Sequence, residues 1–223
     1  MNDTLFQAAT LILPLIFAIV FHEVAHGLVA RWRGDPTAEQ LNRLSLNPIR
    51  HVDPFGTVIL PGMLALMKAP VFGWAKPVPV NSARLRNPRW DMVLVALAGP
   101  GMNLLLVALT TAVLSVAGGL VSVGSLSTFV AVNLINFIQI NLFLAFFNML
   151  PVPPFDGSRV LAGFLPDGPR QWFQGLDRYA LIIMVVMLLL LPRLGPQFDV
   201  IGKLVLPPVN WAYGHAVSTI LGR

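Results

Sequence analysis

Three ionisable side chains, His22, Glu23 and His26, fall in the stretch Phe21-His22-Glu23-Val24-Ala25-His26, and between Leu5 and Ala30 they are the only ones. Four residues apart on a helix, His22 and His26 lie on one face about one turn apart, so both imidazoles can converge on one metal ion. Glu23 follows the first histidine and can reach a water on that ion, where it would act as general base. A central acid or base in a membrane helix costs roughly 2.5–3.5 kcal/mol, so a chain that carries three needs a partner for them. The plainer alternative is a pair of histidines hydrogen-bonded inside a helix bundle.

Two histidines leave a third ligand wanting. Far along the chain, Asn148-Met149-Leu150-Pro151-Val152-Pro153-Pro154-Phe155-Asp156-Gly157 ends another apolar run. Pro151, Pro153 and Pro154 forbid a regular helix there. Non-helical backbone at membrane depth is tolerated only where it is buried in protein or lines a wet cavity. Asp156 therefore reads as the third ligand; otherwise Asp156-Gly157 simply makes a turn.

Composition sets the surroundings. The 223 residues are 56% apolar and 11% charged, with a mean hydropathy of +0.73, against about 25% charged in soluble chains. This is an integral membrane protein. Without cysteine, disulfides and thiolate sites are excluded, and any metal must take nitrogen and oxygen ligands. The formal charge of +5 does not point to nucleic acid, because the basic residues flank apolar segments rather than forming a tract. Met1-Asn2-Asp3-Thr4 carries no basic region, and the first apolar run reads as a retained helix rather than a removed signal peptide.

The elements that must position these groups follow. The first span is read at about 5–30, with Pro14 as a possible kink; Arg31 and Arg33 close it and Gly34-Asp35-Pro36 stops it. Further crossings are expected at about 91–117, 127–150, 179–192 and 200–221. Residues 57–67 are apolar but short and contain Pro61-Gly62, which suggests a re-entrant or interfacial segment. With that segment not crossing, thirteen of the fifteen lysines and arginines fall on one side, all but Arg193 and Lys203. The positive-inside rule then sets the N-terminus outside and the histidine end of the first span at the cytoplasmic face. Gly99-Pro100-Gly101-Met102-Asn103 in the second span reads chiefly as a packing notch, with a site-supporting role open for Asn103. Asn133, Asn136, Gln139 and Asn141 of the third are expected to hydrogen-bond between helices. His51, Asp53 and His215 read as loop or interfacial residues.

These motifs resemble the site-2 protease family of intramembrane zinc metalloproteases. The resemblance rests on His22-Glu23-x-x-His26, on Asn148-x-x-Pro151-x-x-Pro154-x-Asp156-Gly157, and on the intervening Gly99-x-x-x-Asn103 and Gly73–Asn81 stretches. It covers about residues 5–165. It implies an all-α polytopic membrane protein with a three-helix catalytic core in residues 1–165 and further membrane helices in 166–223. It also implies re-entrant β-strands within about 55–82. By the same resemblance, His22, His26 and Asp156 bind one Zn2+, Glu23 is the general base, and Asn148 orients substrate or stabilises the developing oxyanion. The substrate would be a transmembrane protein or peptide, cut in the plane of the cell (inner) membrane towards the cytoplasmic face. An inserted PDZ-type domain and an appended nucleotide-sensing domain, known in other members, are both missing.

Two other readings compete. One is a membrane metalloprotease of another class with Glu39 as third ligand. The other is a non-catalytic metal transporter or scaffold.

Overall fold

A computed structural model of the chain describes residues 3–67, 73–117 and 125–222. Three long helices form its centre: α1, Asp3–Trp32; α4, Pro88–Ala117; and α5, Ser125–Asn148. Each packs against the other two. Between α1 and α4 lie two short helices, α2 (Thr37–Gln40) and α3 (Leu60–Leu66). After α5 the chain turns through its prolines into α6, Asp156–Phe164. α7 (Asp167–Gln174), α8 (Ala180–Val185) and α9 (Leu191–Leu194) follow, and α10 is Leu206–Ile220. The fold is all-α.

Among the described residues, four helical stretches are long and apolar enough to cross a membrane: Ala9–Trp32, Pro88–Val116, Thr128–Asn148 and Asp167–Leu194. Their outer faces agree with that. Leu11, Ile12, Leu13 and Phe17 of α1, and Leu104, Leu105 and Leu109 of α4, are exposed, an apolar surface that only lipid would cover. The chain is a multi-pass membrane protein. The fourth stretch is longer than the 179–192 read from sequence, because α7 and a 3-10 turn, Gly175–Tyr179, lead into it without a break. The expected fifth crossing, 200–221, is helical from Ile201 to Ile220 but is not among the four. Pro207, Pro208, Asn210, Trp211, Tyr213 and His215 dilute its apolar character. Among the described residues, three π turns, Pro54–Ile59, Val186–Leu190 and Ile201–Val205, each end two positions before a proline (Pro61, Pro192, Pro207). Widening the helix there relieves the clash of the proline ring with the carbonyl one turn back.

The region between α1 and α4 differs from expectation. Residues 54–66 are helical, and residues 73–81 are extended without strand pairing; no strand occurs among the described residues. The rest of the expected re-entrant segment, with Lys68, lies outside them. Prolines 77 and 79 explain the lack of a ladder, since neither has an N–H to donate. Side chains and scattered carbonyls hold the extended segment instead. Trp74 N–H donates to Gly56 C=O (3.1 Å) and Lys76 N–H to His51 C=O (2.8 Å). Arg43 donates to the Lys76 carbonyl at 2.7 Å, and Asn81 N–H donates to Asp35 Oδ2 at 2.6 Å.

Asp35 is fully buried. Its Oδ1 accepts from Thr37 N–H at 3.0 Å and from the Thr37 hydroxyl. Burial alone would raise the Asp35 carboxyl, but the Thr37 and Asn81 donors and the nearby Arg84 charge outweigh it and hold the group below its usual value. A depressed folded-state value stabilises the fold above the unfolded value of about 3.9 and loses that contribution as pH falls through the folded one. Asp35→Asn is expected to cost roughly 1–3 kcal/mol near neutrality. In thermal melts of wild type and variant, the gap should hold constant from neutrality into mild acid and shrink below about pH 4; a gap independent of pH would refute the assignment.

Candidate metal centre

His22 and His26 face inward from α1, and both are buried. Asp156 opens α6 and meets them from the other side of the bundle. Its Oδ2 lies 3.2 Å from His22 Nε2 and 3.2 Å from His26 Nε2, and the two Nε2 atoms are 3.1 Å apart. A tetrahedral ion with bonds of ~2.0 Å needs ligand atoms ~3.3 Å apart. The three atoms thus form one face of such a tetrahedron and leave a fourth position free. Among the described residues they are the one group of three histidine or acidic side chains gathered closely enough to hold an ion. Glu39 is not among them: on the surface, its Oε2 accepts from Arg31 Nε at 2.9 Å.

The surroundings fit a metal as well as the donors do. His26 Nδ1 is 2.7 Å from the Val95 carbonyl of α4, which can only accept, so Nδ1 carries the proton and Nε2 keeps its lone pair. His22 Nδ1 lies 2.5 Å from Asn103 Oδ1. A metal-binding imidazole is normally oriented this way by its other nitrogen. Gly99 clears the space in front: a Cβ there would sit 2.4 Å from His26 Nε2 and 2.6 Å from His22 Nε2.

Asp156 reaches its place because the chain doubles back. Gly157 passes so close to the end of α5 that a Cβ would lie 2.2 Å from the Met149 carbonyl. The Asp-Gly pair is the start of α6, and the missing Cβ at Gly157 lets that start press against the end of α5 while Asp156 presents its carboxylate. Asp156 also stands in the first turn of α6, the end where the helix dipole favours a negative charge.

Glu23 points into a cavity of about 1220 Å³, which His22, His26, Asp156 and Asn148 also line. The extended residues 73–80 form one wall, and Arg170, Gln174, Leu181 and Met184 of the C-terminal helices another. Val78 N–H donates to Glu23 Oε2 at 2.8 Å. Asn148 Nδ2 donates to the Leu144 carbonyl of its own helix at 3.0 Å, leaving one amide proton and the amide oxygen towards the cavity.

The other amides divide. Asn136 bonds the Thr10 carbonyl across to α1 at 2.8 Å, and Asn141 accepts from Asn103 at 2.7 Å, both between helices as expected. Asn133 bonds back to Phe129 within α5, and Gln139 is exposed; neither crosses. His51 bonds the Ser45 carbonyl, Asp53 caps the turn at Phe55 and Gly56, and His215 bonds back to Trp211, all away from the site. Val95 and Val78 were missed in the sequence, since backbone groups carry no chemical label, and Gly99 was read there as a packing notch rather than as the clearance in front of the imidazoles. Gly99-x-x-x-Asn103 was the available signal.

The model of Peptidase family M50 matches residues 10–133 and 115–191, most of the chain. The chain belongs to this family. A Bacillus subtilis (strain 168) protein named "Putative zinc metalloprotease YwhC" is 40% identical over 179 residues, covering 79% of this chain and 78% of that one. "Putative zinc metalloprotease Rip2" of Mycolicibacterium smegmatis (strain ATCC 700084 / mc(2)155) is 28% identical over 189 residues, covering 82% and 67%. No solved structure matches. The M50 assignment bears out the family resemblance drawn from the two motifs.

Gly99→Ala tests the space in front of the imidazoles. Displacement of the histidine rings by the added Cβ should weaken zinc at least 10–100-fold, the scale seen when the groups that orient metal-binding side chains are lost, with helix content by circular dichroism unchanged. Wild-type zinc affinity in this variant would show that Gly99 serves packing alone.

Proposed function

We propose that this chain is an intramembrane zinc endopeptidase that hydrolyses peptide bonds within or near transmembrane segments of membrane proteins. M50 membership and relatives named as zinc metalloproteases make it a membrane zinc protease in outline. The single observation that carries the finer reading is the buried triangle of His22 Nε2, His26 Nε2 and Asp156 Oδ2, set inside apolar helices beside Glu23.

Those three atoms would hold the ion, which when bound supplies a Lewis acid and brings the pKa of a bound water towards ~7. Glu23 takes the proton of the attacking water and returns it to the leaving amine. The free amide proton of Asn148 orients the scissile carbonyl and stabilises its developing charge, a contribution of ~2.7–4 kcal/mol where such donors have been removed. A helical substrate hides its carbonyls in its own hydrogen bonds, so it unwinds locally before cleavage. Residues 73–81, extended beside Glu23, offer an unwound substrate backbone a partner by β-addition. Residues 1–165 carry the chemistry, and 166–223 complete the cavity wall. The predominance of arginine and lysine near the His26 end of α1 supports a cytoplasmic-facing site in the cell membrane.

Glu23→Gln separates chemistry from metal binding. Zinc content of the purified variant should equal wild type, while cleavage of a transmembrane peptide falls about 10²–10⁴-fold. Near-normal cleavage would reject Glu23 as the base.

A further inference from the structure

We infer that Asn141 of α5, through Asn103 of α4, sets which ring nitrogen of His22 is free to bind the ion. The inference rests on the zinc site proposed above, and it concerns two residues that line no part of the cavity.

The chain of donors can be followed from its far end. The Phe137 carbonyl is a pure acceptor, so at 2.7 Å it requires the Asn141 amide nitrogen as donor. That leaves Asn141 Oδ1 as the end facing α4, where it accepts from Asn103 Nδ2 at 2.7 Å. Asn103 must then present Oδ1 to His22, 2.5 Å from Nδ1. An acceptor at Nδ1 demands the proton there, and Nε2, turned towards His26 and Asp156, carries the lone pair. Were Asn103 to flip, its NH2 group would face Nδ1, the proton would move to Nε2, and the position a metal needs would be blocked.

The two histidines differ in how firmly this is set. His26 relies on the Val95 carbonyl, a backbone group that cannot reverse. His22 relies on a side-chain amide, which can, so the amide itself needs a lock. Asn103 Nδ2 also lies 3.5 Å from the Ala18 carbonyl, too long to hold the orientation alone. Asn141 supplies the short bond. Asn103 and Asn141 are both fully buried, where water cannot replace a lost partner and an unmatched polar group is costly. The orientation is therefore enforced rather than merely preferred.

Asn141 is thus a positioning residue, and a rescue distinguishes this role from packing. In the full chain in detergent, zinc affinity is measured by chelator competition for wild type, Asn141→Leu and the double variant Asn103→Asp/Asn141→Leu. Asn141→Leu should bind zinc about 10–100-fold more weakly. The double variant should recover wild-type affinity, because a carboxylate has no donor end to turn towards His22. Unchanged affinity in Asn141→Leu overturns the inference, as does a double variant as weak as the single one, which would mean damaged packing. A wild-type protein that binds no zinc would instead overturn the underlying metal-site reading. Should Asn141→Leu fail to fold, ¹⁵N chemical shifts of metal-free wild type decide, with the His22 signal assigned by its loss in His22→Gln. A neutral ring protonated at Nδ1 upholds the inference, and one protonated at Nε2 defeats it.

Discussion

Ionisable groups in an apolar helix must meet one another or an ion, and much of this molecule can be understood as the consequence. His22, Glu23 and His26 sit where water is scarce and lipid offers nothing. A single helix cannot satisfy them, because neighbouring turns of α1 present only backbone that is already hydrogen-bonded. Help has to come from elsewhere in the chain. α4 brings the Val95 carbonyl and Asn103, α5 brings Asn141 behind Asn103, and α6 brings Asp156. Each of the three neighbours of α1 contributes a polar group to the same small volume, and their packing order follows from that.

Bringing a carboxylate there requires breaking regular structure in a place that ordinarily forbids it. The proline run after Asn148 ends α5, and the glycine at 157 lets the first turn of α6 pass against the Met149 carbonyl. On the opposite side, Asp35 and Arg43 hold the extended residues 73–81 without a β-ladder. Arg33 joins the end of α1 to the start of α4 through Asp91, Nε to Oδ1 at 2.6 Å. Irregular backbone here is fastened by side chains at its ends and lines a cavity, as the cost of unpaired peptide groups in a membrane demands. In lipid, close packing rather than apolar burial draws helices together, and Gly163 lets α6 sit against α4, where a Cβ would lie 2.1 Å from the Val93 side chain.

The parts legible in the sequence were those in which side-chain type and spacing carry the information. The His22/His26 register, the proline-broken approach of Asp156 and the three central spans could be read because periodicity and ionisable residues in apolar runs are local signals. The β-strands that the family resemblance implied within 55–82 are not seen among the described residues, where 54–66 are helical and Pro77 and Pro79 interrupt any ladder in 73–81. Strand pairing also depends on a partner edge, which no local pattern records. The helical start at Asp167 was hidden because α7 is polar, and helical continuity across Gly175 depends on tertiary packing. Asn103 and Asn141 looked like two unrelated amides; only the crossing of α4 and α5 aligns them behind His22.

On the proposed reading, two imidazoles of α1 and the carboxylate that opens α6, 134 residues along from His22, share one ion. Zinc K-edge X-ray absorption of the purified protein addresses it directly. One zinc per chain is expected, with two imidazole nitrogens and carboxylate oxygen at ~2.0–2.2 Å, and with one imidazole lost in His22→Ala. A zinc-free protein, or a coordination shell untouched by removing His22 or Asp156, would contradict it.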